Sequence, residues 1–176
     1  CMLNEALKKH FGFDTFKPGQ KEIITHVLEK KDTLGILPTG SGKSLCYQLP
    51  TYINQQPTLI ISPLISLMDD QVMQLKLHGE HHVACIHSGM DEHERAQNIK
   101  QLTKSRFIFL SPEFLLQPHN FKLIKHINLG IIVLDEAHCL SEWGYDFRPH
   151  YALVGKIVNH FHNATVLALT ATAPSY

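Results

Sequence analysis

The chain has 176 residues, 44% of them hydrophobic, which is ample for one packed core and thin for two. No apolar run approaches the roughly 18 residues of a membrane span, and the N-terminus lacks the basic-then-apolar pattern of a secretion signal. Lys and Arg balance Asp and Glu at 16 each, so composition offers no overall basic surface for wrapping nucleic acid, although a local stripe is not excluded.

Leu3, Leu7 and Phe11 recur at helical spacing and predict a short amphipathic helix ending near Gly12. Pro18 suits the first turn of a second helix, whose apolar face is Ile23, Ile24, Val27 and Leu28. Thr33 to Leu37 reads as an apolar strand feeding a glycine-rich turn, and Leu45 to Ile53 as a helix. Thr58 to Ile61 is the next strand, followed by a helix from Leu64 to Leu77 and a weaker strand from Val83 to Ile86. Asp91 with Glu94 three residues on forms a capping-box pattern for a polar helix reaching Leu102. Phe107 to Leu110 and Ile131 to Leu134 are strands. The stretch from Phe114 to Gly130 has no clear period. A helix from Tyr151 to Phe161 precedes a last strand from Thr165 to Leu169. These strands are apolar throughout instead of alternating, so both faces of the sheet are covered. Alternation with helices predicts an α/β layer fold with a mostly parallel sheet and helices on both faces.

Cys1, Cys46, Cys85 and Cys139 are far apart and form no CxxC pair, so neither a zinc site nor a disulfide scaffold is expected. The 13 histidines are scattered, without HExxH spacing, and read as ordinary side chains.

The turn after the first strand is Leu37-Pro38-Thr39-Gly40-Ser41-Gly42-Lys43-Ser44. It follows a strand and opens a helix, the context in which such a loop cradles phosphate. Successive N–H groups and the helix N-terminus face the anion. Lys43 reaches the β- and γ-phosphates of a nucleotide, and the Ser44 hydroxyl suits Mg²⁺. A glycine usually opens this loop; here Leu37 stands in its place. The second half of the site is Asp135-Glu136-Ala137-His138, at the carboxyl end of a strand, where ligands of such folds bind. Asp135 is suited to the Mg²⁺ shell and Glu136 to activating the attacking water, the two pointing apart from adjacent positions. Thr170 and Thr172, in Thr-Ala-Thr-Ala, read either as a strand cap or as a hydroxyl relay from the phosphate end.

The ordered set of motifs resembles the first, ATP-binding lobe of superfamily 2 helicases, and specifically of the RecQ family of DNA helicases. The set comprises Phe11-Gly12-Phe13, Phe16-Lys17-Pro18-Gly19-Gln20, the phosphate loop, and Ser62-Pro63-Leu64-Ile65-Ser66-Leu67-Met68-Asp69-Asp70-Gln71. It continues with Ser111-Pro112-Glu113, the DEAH sequence, Trp143-Gly144-Tyr145-Asp146-Phe147-Arg148-Pro149 and Thr-Ala-Thr-Ala. The leading Phe/Lys/Gln motif and the aromatic loop after DEAH are the most specific parts. The resemblance implies a RecA-like P-loop NTPase lobe over residues 31–176, preceded by an adenine-recognition segment over residues 1–30. It implies that Gln20 reads the adenine edge, with Lys17 beside the nucleotide and Phe13 against the base. An amide both donates and accepts, and a ring offers a stacking face; packing is the ordinary alternative for Phe13.

By the same resemblance, the loop of Trp143, Phe147 and Arg148 contacts single-stranded DNA and reports it to the ATP site, with His138 as coupler. Tyr145 departs from the histidine common there, and Glu142 is acidic. Aromatic faces and an arginine suit stacking on bases and contact with phosphate, although local packing would use the same residues. Ser62 and Ser111 are implied to touch the DNA backbone; a serine after a strand is otherwise a common helix cap. The implied whole is an ATP- and Mg²⁺-dependent 3′-to-5′ DNA helicase acting on single-stranded and partly duplex DNA, with a second lobe supplying an arginine finger. A lobe without that finger is expected to be a poor ATPase. The implied setting is the cytoplasm, in association with the nucleoid, if the source is bacterial and the nucleus if it is eukaryotic, with no membrane role. An RNA helicase or remodeler lobe and a non-catalytic nucleic-acid-binding lobe are the alternatives.

Overall fold

The computed structural model describes residues 2–38, 42–137 and 148–171, with only the backbone of residues 148–151. Thr39, Gly40, Ser41, His138, Trp143, Phe147 and Thr172, together with the side chain of Arg148, therefore lie outside the described residues.

Six strands alternate with helices as the sequence predicts. They are β1 (Thr33–Leu37), β2 (Thr58–Ile61), β3 (Val83–Ile86), β4 (Phe107–Leu110), β5 (Ile131–Leu134) and β6 (Thr165–Ala171). They form one sheet in the order β1-β6-β5-β2-β4-β3, and every pairing is parallel. The helices are α1 (Met2–Phe11), α2 (Gln20–Leu28), α3 (Leu45–Asn54), α4 (Ile65–Leu77), α5 (Glu92–Gln101), α6 (Pro112–Leu116), α7 (Pro118–Phe121) and α8 (Arg148–His160).

Parallel pairing needs crossover helices, and these cover both faces of the inner strands, whereas at the β1 edge Leu34 and Ile36 stay exposed at 61% and 54%, so coverage is less complete than the apolar runs suggested. On one face, α2, α3 and α4 bury Val27, Cys46, Tyr47 and Met68 against Ile60, Phe107, Val133 and Leu167. On the other, Phe114, Phe121, Leu153 and Ile157 from α6, α7 and α8 pack on Leu59, Ile108 and Ile132. Leu7 of α1 and Ile24 of α2 close a smaller cluster over Leu45 and Leu49 of α3, which ties the N-terminal helices to the helix after the phosphate loop.

Two sequence readings change. Pro18 lies in a turn outside α2, because Gly19 precedes the helix in a left-handed conformation (φ 88°) that cannot continue it. A side chain at Gly19 would also stand 2.7 Å from Leu37 Cδ2, so the glycine makes room for the leucine that opens the phosphate loop. The undecided stretch after Ser111 contains the short helices α6 and α7, started by Pro112 and Pro118.

At the amino end of β3 and β4, Glu80 is buried in a polar knot. Its carboxylate accepts from the Tyr52 hydroxyl at 2.9 Å, Arg106 Nη1 at 2.7 Å and the His82 N–H at 3.0 Å. The Arg106 guanidinium lies 5.1 Å over the Tyr52 ring, which stacks on His10 of α1.

Candidate nucleotide site

The site forms where β1 and β5 end on the same edge of the sheet. Lys43 leaves the phosphate loop just before α3, and Asp135 and Glu136 leave β5. Lys43 Nζ donates to Glu136 Oε1 at 2.7 Å and lies 3.7 Å from Asp135 Oδ1. Both carboxylates therefore converge on one ammonium group, where the sequence suggested that they point apart. The reason is backbone conformation: Glu136 is left-handed (φ 55°), and its N–H donates back to Asp135 Oδ1 at 2.9 Å. A non-glycine residue there carries about 1–2 kcal/mol of strain.

All three side chains are mostly withdrawn from solvent, at 21%, 16% and 12% exposure for Lys43, Asp135 and Glu136. Burial raises the Asp135 carboxyl above its ordinary range; Lys43 opposes the shift and the neighbouring Glu136 charge adds to it. A buried carboxylate held against its preference is ready for a stronger cation than one shared lysine. Ser44 makes no side-chain cap bond to α3. Asp135 and the Ser44 hydroxyl thus fit a hard, oxygen-seeking divalent ion such as Mg²⁺.

Gln20 is buried at 3% exposure and holds the loop from the side. Its Oε1 accepts from the Lys17 N–H at 2.8 Å, and its Nε2 donates to the Gly42 carbonyl at 3.0 Å. Gly42 is itself left-handed (φ 72°), and a side chain there would stand 2.8 Å from Gln20 Nε2. In this structure the amide expected at an adenine edge braces the phosphate loop. Phe13 is 57% exposed, with its ring available to a flat ligand.

Ser62 and Ser111 are buried at 2% and 1% exposure. Ser62 Oγ accepts from the Leu64 N–H at 3.3 Å, and Ser111 Oγ accepts from Phe114 N–H at 3.4 Å as the N-cap of α6. Both hydroxyls serve the local backbone, the ordinary alternative for a serine after a strand. Thr170 lies at the same edge, opposite Ile36 in the β1–β6 register, and its hydroxyl reaches the Ala171 carbonyl at 3.5 Å.

Among the described residues, Asp69, Cys85 and His87 bring ligand atoms within 4.8 Å of one another. The ring is already committed: Nδ1 accepts the Gly89 N–H at 3.0 Å, which leaves Nε2 as the donor to Asp69 Oδ1 at 2.8 Å. Burial, aided by Asp69, pushes the Cys85 thiol up to about 12. Both ring nitrogens of His87 are thus engaged by protein groups.

Sequence reasoning overlooked a second group beside this site. Tyr47 of α3 is fully buried and donates from its hydroxyl to Gln71 Oε1 of α4 at 3.2 Å. The available signal was a phenol three residues after Ser44, among the apolar Leu45, Cys46 and Leu49.

The profile of the DEAD/DEAH box helicase family matches residues 17–176. The probable ATP-dependent DNA helicase RecS of Bacillus subtilis (strain 168) is 47% identical over 97% of this chain, and the ATP-dependent DNA helicase RecQ of Pasteurella multocida (strain Pm70) is 42% identical over 96%. The chain spans 34% of the first relative's length and 27% of the second's. A crystal structure of a hypothetical ATP-dependent RNA helicase from Sulfolobus tokodaii superposes with a TM-score of 0.74, over 97% of this chain and 50% of that one. At 21% identity that likeness speaks for the fold alone. A family match running from the Lys17 motif through the phosphate loop and the DEAH carboxylates leaves one assignment: the chain belongs to the DEAD/DEAH box helicase family.

Proposed function

We propose that this chain is the ATP-binding lobe of an ATP-dependent 3′-to-5′ DNA helicase. The observation that carries the reading is the convergence of Lys43, Asp135 and Glu136 at the carboxyl edge of a parallel sheet. When nucleotide enters, its phosphates take over Lys43 and release the carboxylates. Asp135 and Ser44 would hold Mg²⁺, which would supply charge compensation for the transferring phosphoryl group. Glu136 then orients water and accepts its proton, while Gln20 keeps the loop in register and Phe13 and Lys17 flank the base. The similarity to proteins named RecQ and RecS favours DNA over RNA as the strand, with Trp143, Phe147 and Arg148 as its reporters. A second lobe of the same protein supplies a cationic finger to the transferring phosphoryl group.

Phosphate release by the full-length protein, with and without single-stranded DNA, is the test. Strong stimulation by DNA, and little by RNA of the same length, is the expected result. Equal stimulation by RNA would favour an RNA helicase, and no turnover under any condition a non-catalytic binding lobe. Trp143→Ala and Phe147→Ala are expected to lower maximal stimulation at saturating DNA.

A further inference from the structure

Tyr47 stands at a junction that the reading above leaves unused. It lies one turn into α3, where its N–H donates to the Ser44 carbonyl at 3.2 Å, so it moves with the end of the phosphate loop. Its ring packs edge-on against Phe107 of β4, with centroids 6.2 Å apart. Its hydroxyl crosses to Gln71 on α4, the helix that begins just after Ser62-Pro63-Leu64. A phenylalanine would fill the same space, so the hydroxyl is there to be bonded: a buried phenol without a partner would be destabilising. Burial, reinforced by the Asp135 charge and opposed by a side-chain hydrogen bond with the adjacent Gln48, raises the phenol well above its ordinary range, which leaves its proton for Gln71 on the neighbouring helix. The Asp135 field and the Ser44 carbonyl both belong to the nucleotide site, whereas Gln71 belongs to the helix behind the expected DNA edge.

We infer that the Tyr47–Gln71 hydrogen bond is a positioning link, through which the phosphate-loop helix sets the placement of α4 and hence the strand's response to nucleotide. The inference rests on the helicase reading above. Tyr47 touches no substrate atom; it acts through α4.

The experiment uses the full-length protein and the ratio of DNA-saturated to DNA-free turnover. Tyr47→Phe deletes one oxygen and keeps the ring, and Gln71→Met keeps length at a half-buried position. Each is expected to lower the ratio about threefold to tenfold, the scale of one neutral hydrogen bond. The double variant is expected to be no worse than the more affected single one, because both remove the same bond. Additive effects, or an unchanged ratio in either single variant with a native melting profile, would overturn the link. If Tyr47→Phe is misfolded, Gln71→Met alone decides on the same ratio. Lys43→Ala runs alongside: normal turnover in that variant sinks the ATPase reading itself, whereas a dead Lys43→Ala with an unchanged Tyr47→Phe ratio sinks only the link.

Discussion

Lys43 Nζ sits 2.7 Å from Glu136 Oε1, a full ångström closer than to Asp135 Oδ1. The lysine is thus held more tightly by the carboxylate proposed to activate water than by the one proposed to hold metal. Nucleotide has to break the tighter of the two contacts. Lys43→Ala is expected to weaken Mg·ATP binding in calorimetric titration. Glu136→Gln is expected to bind at least as well as the native protein, because the lysine is released more easily. Its turnover is expected to fall by about 10²–10⁴-fold, the usual contribution of a positioned base. Near-native phosphate release by Glu136→Gln would move water activation to another group.

Asp135 yields a stability prediction with a definite sign. Its carboxyl is raised in the folded protein, mainly by burial, so folding disfavours the ionised form. The associated stability is complete below the ordinary carboxylate range and is lost as pH rises through the raised folded value. Asp135→Asn is therefore expected to melt at a higher temperature than the native protein at neutral pH without nucleotide. The gain should shrink as the medium is acidified through that window. A melting difference independent of pH would show that titration of Asp135 is not its source.

Glu80 carries the opposite sign. Burial alone would raise its pKa, but the His82 N–H, the Tyr52 hydroxyl and Arg106 outweigh it and hold the carboxyl below its ordinary value. That stability is present above the ordinary carboxylate range and is lost as pH falls through the folded value. Glu80→Gln is expected to melt lower at neutral pH, with the gap closing in acid. Thermal melts of the Asp135 and Glu80 variants across one pH series should thus diverge at neutral pH and approach each other in acid.

Gln20 and Gly42 should behave as a pair. Gln20→Ala removes the partner of two backbone groups, with an expected loss of about 1–3 kcal/mol. Gly42→Ala forces a methyl group toward Gln20 Nε2 and adds about 1–2 kcal/mol of left-handed strain. Both are expected to weaken ATP binding, and Gln20→Ala to erase any preference for ATP over GTP. Chemical denaturation and calorimetry on the two variants check this. A stable Gln20→Ala protein with unchanged ATP preference would remove Gln20 from both roles.

The inner strands were legible because strands covered on both faces ask for unbroken apolar runs, and Ile131 to Leu134 is such a run with a carboxylate pair at its end; the open face of β1, with Leu34 and Ile36 exposed, was not. Helices of five and four residues were not, since α6 and α7 are too short to show a period. The motifs brought Lys43 and the DEAH carboxylates to one edge, but spacing carries no information on backbone handedness. The left-handed Glu136 therefore turned an expected divergence into a convergence. Gln20 and Gly42 lie 22 positions apart, Tyr47 and Gln71 24 apart, and no periodicity links them. Serine before a helix fits two readings on paper; only burial and the Leu64 and Phe114 amides show where those hydroxyls point.

The strand that carries the phosphate loop has a single lateral neighbour among the described residues, and that neighbour, β6, is made after the other five described strands. Thr33 pairs with Leu167, and Asp32 Oδ1 accepts from the Val166 N–H across 134 positions. During synthesis, β2 and β4 can pair while β1 still lacks its ladder. The loop gains its lateral support only after residues 165–171 have been made and have docked. Such distant pairing is slow, because the intervening chain must be ordered first. A ribosome-bound nascent chain that exposes everything up to β5 would thus hold most of the sheet and an unsupported nucleotide loop, so the capacity to bind ATP is among the last properties this lobe acquires.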